Sequence, residues 1–585
     1  MPTQNLRNGM IMFDMDLDIR IEGYGQGSCQ CRLFLAPTQA LHVNVFNLNP
    51  RRTLHSNLAV ARRWIDRCQN HHALCNLAID VWYPTRLLHI DRKTRKIRLI
   101  ISSIDHPSGR YVTLSHRWEN PMRTKLLSST MAKMRNEITA SSLPQSFQDA
   151  IIITHHLGIS YLWIDALCIK QDEDELDWKI ECQNMHKVYS HAFLNLSATK
   201  SFTGTEPLLS ERCLGSLEPS RVSFSIPIQQ DYYILDSQLW MDEVDDAPLN
   251  QRGWVFQERF LARRILNFGS RQLAWECLES KALETFPDGL HEFSAVSSIS
   301  KPDAYTSLLQ AIPQEQDETW MRNFSSQYHI LVHKYSKCNL TRPGDKLIAF
   351  SGIPRRIQEN TKDFYVAGVW NRSLPFDLNW YRDQLGERDY PTQQSHVNAP
   401  SWSWASVIGE VNFPSDRQDS SQTIFISNWK FHQAKALRNK SFIDTTWISL
   451  KATLLSVHIE VLTDGVSDLR ILEHRFNEEE IIDLEGLSIY LDGPDEQVQT
   501  ANQNGGVYWI PLFATKHGIH GILVEQISRR LKFKRIGRIQ IPLLIKYHLL
   551  NKGESHQSTP MTRKRNQHYA YEVILFIGFA ISSMP

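Results

Sequence analysis

The chain predicts an α/β protein: a parallel sheet in its first half, a helical segment after it, and a β-rich C-terminal region. Three observations lead there. Strand, helix, strand, helix and strand follow in that order between Tyr111 and Ala198, which argues for a parallel sheet with right-handed crossovers. Residues from about 300 to 360 carry helical spacing with polar joins, and beyond about 400 short β-prone runs alternate with Gly, Asp and Asn turns.

Taken in chain order, Met15, Leu17, Ile19 and Ile21 alternate with charged residues, GYGQG intervenes, and Arg32-Leu-Phe-Leu follows. This is a hairpin pattern in which Gly23, Gly25 and Gly27 serve the turn; a dinucleotide fingerprint would need a helix next, and a strand comes instead. From Leu58 to Leu77, Val60, Trp64, Cys68 and His71 mark an amphipathic helix, followed by His72 and Cys75 at metal-like separation. A structural zinc site wants four ligands. The nearest spare pair, Cys29 and Cys31, lies in the hairpin with nothing to enforce convergence, so a buried Cys/His helix end is expected and no metal.

Tyr111–Ser115 is a short β-rich run that delivers Ser115, His116, Arg117 and Trp118 at its C-terminal end, where α/β sheets place functional groups. Ser141 or Ser142 is expected to cap a helix with Pro144 in its first turn; Phe147, Ala150, Ile151, Thr154 and Leu157 share one face, and Gly158 supplies the stop. Residues 159–165 form a nearly continuous apolar strand of the doubly buried kind, ending in Asp165. A second helix repeats Trp178, Cys182, Met185 and Tyr189 at i, i+4, i+7 and i+11, before a strand at Phe193–Ala198. Ser115 and Asp165 are therefore expected at the same edge of the sheet. The uncharged tail Val573–Pro585 is too short for a membrane helix and reads as a final strand.

Composition narrows the function classes. The 585 residues contain 64 Lys plus Arg against 63 Asp plus Glu, a balance that offers no global field for polyanions and disfavours nucleic-acid binding. With 42% hydrophobic residues and 16 Trp, wholesale disorder is excluded. Nine cysteines form too dilute a set for a disulfide framework, and the first residues carry no apolar signal-peptide core, so a cytoplasmic protein without a membrane span is expected.

Five blocks carry a family resemblance: Tyr111-Val-Thr-Leu-Ser-His-Arg-Trp118; Leu143-Pro-Gln-Ser-Phe-Gln-Asp-Ala150; Tyr161-Leu-Trp-Ile-Asp-Ala-Leu-Cys-Ile-Lys-Gln-Asp172; Asp177-Trp-Lys-Ile-Glu181 through Tyr189; and Arg252-Gly-Trp-Val-Phe-Gln-Glu-Arg259. In this order they resemble the fungal heterokaryon incompatibility (HET) domain, and Trp64, Cys68, His72 and Cys75 with Pro84-Thr-Arg-Leu-Leu88 look like its usual lead-in. The resemblance implies a TIR-like, flavodoxin-like parallel sheet and a role in non-self recognition that ends in growth arrest or programmed cell death through assembly, with protein partners or self-association. The expected organisation is a lead-in at 1–95, the HET domain at 96–285, a helical connecting region at 286–395 and a β-rich region at 396–585. Within the blocks, Asp149, Gln171, Arg252, Gly253, Trp254, Gln257 and Glu258 are expected as structural positions, with Arg252, Glu258 and Arg259 in one charged network.

Some TIR domains, which the HET domain is similar to, cleave NAD. That chemistry needs little more than a carboxylate facing a ribosyl carbon on which positive charge builds. Glu181, at the rim of its helix's buried face beside Trp178, is the candidate catalytic carboxylate; the alternative is an ion pair with a Lys or Arg on a neighbouring helix. Ser115, Trp118, Asp165 and Trp178 are candidate ligand-binding residues, Asp165 either capping its loop or binding a ribose hydroxyl. No cofactor is required, and NAD enters only as a possible substrate, beside the alternative of a non-enzymatic scaffold.

Overall fold

The computed structural model describes residues 54–290 apart from 79, 120–123, 173–175, 211–219, 225–229 and 237, then 301–309, 318–382 and 399–414. It also describes the strands at 4–5, 11–21, 25–37 and 571–575, and most of 423–541 apart from 427, 439–440, 453, 462–466, 472–487, 493–499, 502–505 and 529–531. The chain divides into two compact units, 1–306 with 351–355, and 307–350 with 356–585.

The first unit is built on an eight-stranded sheet. Its strands in chain order are β1 (Arg86–Ile90), β2 (Ile97–Ile101), β3 (Tyr111–Ser115), β4 (Tyr161–Trp163), β5 (Leu194–Ser197), β6 (Arg264–Phe268), β7 (Leu273–Cys277) and β8 (Lys281–Leu283). The spatial order is β8-β7-β6-β5-β3-β4-β1-β2, and the inner four, β6, β5, β3 and β4, pair in parallel. The three expected strands are thus neighbours: Thr113 lies opposite Asn195 on one side and Trp163 on the other. The sheet begins earlier than residue 96, because β1 adds antiparallel to β4 and carries β2 at the edge.

Helices α1 (Leu54–His71), α2 (Gln145–His156), α3 (Leu176–His191) and α4 (Gly253–Leu261) cover the sheet. Alternation along β3 assigns the faces. The Tyr111 hydroxyl donates to the Val188 carbonyl of α3 at 2.7 Å and Ser115 reaches Glu258 of α4, whereas the His116 ring meets Phe147 of α2 edge-on at 4.8 Å. Every residue of β3 and of β5 is buried, as doubly covered parallel strands require.

Several local expectations shift. Pro144 itself is the N-cap of α2, without a side-chain cap; Ala140–Ser142 form a 3-10 turn before it. The strand expected over 159–165 is paired only at Tyr161–Trp163, because Asp165 already opens a helical turn, Asp165–Cys168. The hairpin is present, Ile11–Ile21 against Gly25–Pro37, but Gly25 and Gly27 belong to its second strand, and Gly23 lies outside the described residues. It extends into a five-stranded sheet with Gln4–Asn5, Gln230–Asp236 and Ser220–Phe224.

In the second unit the β-rich region forms a ten-stranded sheet that includes Tyr571–Leu575. Val369, Leu374, Leu378 and Trp402 share one core with Ile448, Leu450, Ile510, Leu512 and Phe533 of this sheet. From the segment expected as a connector, 286–395, the residues Val369, Leu374 and Leu378 thus belong to the core of the β-rich unit. Among the described residues no helix is long and apolar enough to cross a membrane.

Candidate functional site

The order β4-β3-β5-β6 reverses direction at β3, so the chain leaves β3 and β5 toward opposite sides, the topological position at which α/β sheets place ligand sites. Ser115 ends β3 there. Its hydroxyl donates to Glu258 Oε2 at 2.5 Å, and Asn195 Nδ2, from β5, donates to Ser115 Oγ at 3.0 Å. Burial pushes the Glu258 carboxyl up to about 7, Asp165 adds to the rise, and the hydroxyls of Ser115 and Tyr189 oppose it.

Asp165 lies at the same edge, as expected. It caps its own turn, with Oδ1 accepting from the Ala166 N–H at 2.7 Å, and Oδ2 accepts from the Trp118 indole at 2.8 Å. His116 Nδ1 stands 3.6 Å from Asp165 Oδ1, and its buried Nε2 meets no hydrogen-bond partner among the described residues. Burial keeps this imidazole below its ordinary pKa, with Arg252 adding to the effect against the pull of Asp165. Arg252 Nη1 donates to the His116 carbonyl at 3.0 Å, which ties the residue before α4 to the loop after β3.

That loop is pinned by Gly204. Its φ of +91° is open to glycine, and a Cβ there would stand 2.5 Å from the Arg117 carbonyl and 2.8 Å from the Glu119 amide. Gly204→Ala is expected to lower stability by about 1–3 kcal/mol and to move Trp118 off Asp165. Thermal unfolding together with Trp118 fluorescence quenching checks this, and an unchanged melting temperature would contradict it.

Glu181 and Trp178, the other sequence candidates, lie on α3 and have partners of their own. Glu181 is buried with 4% exposure, its Oε1 lies 3.5 Å from Arg86 Nη2, and Asp177 binds the same guanidinium. Burial raises its pKa, against which Thr85 and Arg86 pull. Among the described residues it shares no hydrogen bond or ion pair with Ser115, Trp118 or Asp165, and its ion-pair partner Arg86 stands on strand β1, in place of the expected basic residue on a neighbouring helix. Trp178 packs edge-on against Trp254 at 5.8 Å, joining α3 to α4.

The motif positions hold the frame. Asp149 Oδ2 accepts from the Leu208 and Leu209 amides at 2.9 and 3.2 Å, the Gln171 amide donates to the Leu126 carbonyl at 2.9 Å, and Gln257 Oε1 accepts from the Gly352 amide at 3.1 Å. Gly253 is buried at the start of α4. The single network expected for Arg252, Glu258 and Arg259 is two. Successive helix positions diverge by about 100°, so Glu258 turns to Ser115 while Arg259 turns to Asp245 and to Glu276, the latter at 2.7 Å.

Glu258 and His116 are the site residues whose roles the sequence did not disclose. Only the fold brings the last turns of α4 under the end of β3. The fourth ligand missing from the metal argument also comes from long range: Cys277, at the end of β7, joins Cys68, His72 and Cys75, with all four ligand atoms within 4.8 Å of one another.

The family model for the heterokaryon incompatibility protein (HET) matches residues 111–258, the span that runs from the first residue of β3 to the glutamate at its carboxyl end. No curated protein and no solved structure matches the chain. The blocks read from the sequence, the parallel sheet they build and the family match converge on one assignment: residues 111–258 of this chain are a heterokaryon incompatibility (HET) domain.

Proposed function

We propose that the chain is an effector of heterokaryon incompatibility that acts in the cytoplasm, triggering growth arrest or programmed cell death by assembly of its HET domain, with the β-rich unit recognising protein partners. The observation that carries this reading is apolar surface at the working edge of the sheet. Leu176 and Ile180, one turn apart at the start of α3, are 62% and 61% exposed, and Phe202, after β5, is 67% exposed. Side chains of this size gain about 1.5–3 kcal/mol each on full burial, and Leu176 and Ile180, neighbours on one helix face, are the pair assigned here to an association surface. A second copy of the domain is the proposed occupant. The strand order β4-β3-β5-β6 has the flavodoxin-like pattern, which supports the TIR-like part of the reading.

The test is recovery of two differently tagged full-length copies from one cell. Leu176→Asp with Ile180→Asp is expected to lower it by roughly tenfold or more, the equivalent of about 1.4 kcal/mol. Undiminished recovery would remove the assembly reading.

A second reading, NAD cleavage, is favoured by Glu258. Its buried carboxyl, held by Ser115 beside the Trp118–Asp165 pair, has the environment proposed from sequence for Glu181. In this reading the bond from nicotinamide to the ribosyl carbon breaks, nicotinamide leaves as a neutral base, the ionised Glu258 faces the ribosyl carbon, and a solvent water adds there and loses its proton.

A further inference from the structure

We propose that Cys68, His72, Cys75 and Cys277 form a closed structural zinc site that locks the lead-in helix onto the edge of the HET sheet.

The local sequence sets up three of the four ligands. Cys68 lies in the last turn of α1, His72 directly follows the helix, and Cys75 sits in the 3-10 turn Leu74–Asn76. Asn76 folds this corner back on itself, its Nδ2 donating to the Cys68 carbonyl at 2.8 Å and to the His72 carbonyl at 2.6 Å. The fourth ligand arrives on β7. Glu279 Oε1, two residues beyond it, accepts from the Leu74 amide at 2.5 Å, and Trp64 Nε1 donates to the Pro287 carbonyl at 2.8 Å, so both sides of the site are held in place without a metal bond.

Zinc binds thiolate at about 2.3 Å and imidazole at about 2.0–2.1 Å, so the corners of a tetrahedral site lie about 3.4–3.8 Å apart. Cys277 Sγ is 3.2 Å from His72 Nδ1, and the whole set falls within 4.8 Å. Closing onto an ion therefore takes shifts of about an ångström, within reach of side-chain rotation. All three cysteines are unbridged and buried, at 0–1% exposure, and face one another. Three thiols and an imidazole packed together make poor core, since each gives up water for partners that are weak donors and acceptors.

The surroundings fit the charge. Three thiolates and a neutral histidine around Zn²⁺ leave one net negative charge, and Arg264 Nε donates to Cys68 Sγ at 3.2 Å, with Nη2 held by the Cys75 carbonyl at 3.0 Å. A guanidinium hydrogen-bonded to a ligand sulfur is the outer-shell partner such a site needs. Four protein ligands leave no open position, which makes the site structural and not hydrolytic. On binding, Zn²⁺ replaces the thiol protons, which pass to solvent.

The test uses the purified full-length chain, prepared without chelator, with zinc measured by mass spectrometry and Co²⁺ exchanged in as the optical probe. One zinc per chain is expected, with the visible bands and sulfur-to-metal charge transfer of tetrahedral cobalt thiolate. Cys277→Ser should retain less zinc by roughly tenfold or more, since even outer-shell losses weaken affinity about 10–100-fold; Cys182→Ser, outside the cluster, should retain all of it. Folded wild type carrying less than roughly one zinc per ten chains and giving no cobalt spectrum would overturn the proposal, even if Cys277→Ser fails to fold. So would a mapped disulfide among Cys68, Cys75 and Cys277, or full zinc in folded Cys277→Ser.

Discussion

If the chain cleaves NAD as the second reading proposes, Glu258→Gln is expected to leave the HET fold intact while NAD turnover falls by roughly two orders of magnitude or more, about 2.7 kcal/mol at about 1.36 kcal/mol per tenfold. The amide keeps the hydrogen bond from Ser115 and removes the charge. A second consequence separates this variant from one that is merely damaged. The carboxyl has an ordinary value of 4.5 and is pushed up to about 7 in the fold, so the folded chain holds a proton that the unfolded chain releases between these values. Its contribution to stability is present in full below about 4.5 and is lost as pH rises through about 7, a swing of up to about 3 kcal/mol. Glutamine has no such swing. The variant should therefore gain stability relative to wild type between pH 5 and pH 8, read from urea midpoints. An equal difference at both pH values would show that Glu258 does not titrate as described, and wild-type turnover untouched by the substitution would remove it from the chemistry. Glu181→Gln, run in parallel, is expected to leave turnover unchanged; a comparable loss there would return the catalytic role to Glu181.

Arg86→Met should destabilise the protein by about 3–5 kcal/mol, the typical effect of removing one partner from a buried ion pair. Arg86 is 5% exposed on β1, binds Asp177 and Glu181 of α3, and donates from Nε to the Cys168 carbonyl at 2.6 Å. Methionine fills much of the volume but leaves two carboxylates facing each other without a cation. Adding Asp177→Asn and Glu181→Gln removes both charges and should restore a large part of the loss. Chemical denaturation of the single and triple variants checks this; a loss below about 1 kcal/mol for Arg86→Met would contradict a buried clamp and class the contact with surface pairs.

Sequence periodicity discloses what is local and misses what long-range packing decides. The strands at Tyr111, Tyr161 and Leu194 and the joint placement of Ser115 and Asp165 followed from pattern alone, because doubly buried strands and a topological rule leave few arrangements. Glu181 shows the limit. Its angle on the helical wheel was informative about burial, but what it meets is set by Arg86, on a strand that the sequence reading left out of the sheet. Glu258 was legible as part of a charged block, but not as the partner of Ser115, since neighbours on one helix turn can face different networks. Cys277 gave no signal because no spacing rule links it to Cys68, His72 and Cys75; β7 brings it there through the antiparallel pairing with β6. Val369, Leu374 and Trp402 likewise find their core among strands far along the chain, which no local pattern discloses.

As proposed, the chain is a death effector working through the carboxyl edge of its HET sheet. Growth of a fungal host after induction of the full-length chain tests it most directly, with wild type compared with Leu176→Asp/Ile180→Asp at matched protein abundance. Wild type is expected to arrest growth, and the double variant to grow like uninduced cells. Wild type growing like uninduced cells at confirmed expression, or the double variant arresting growth as strongly as wild type, would contradict it.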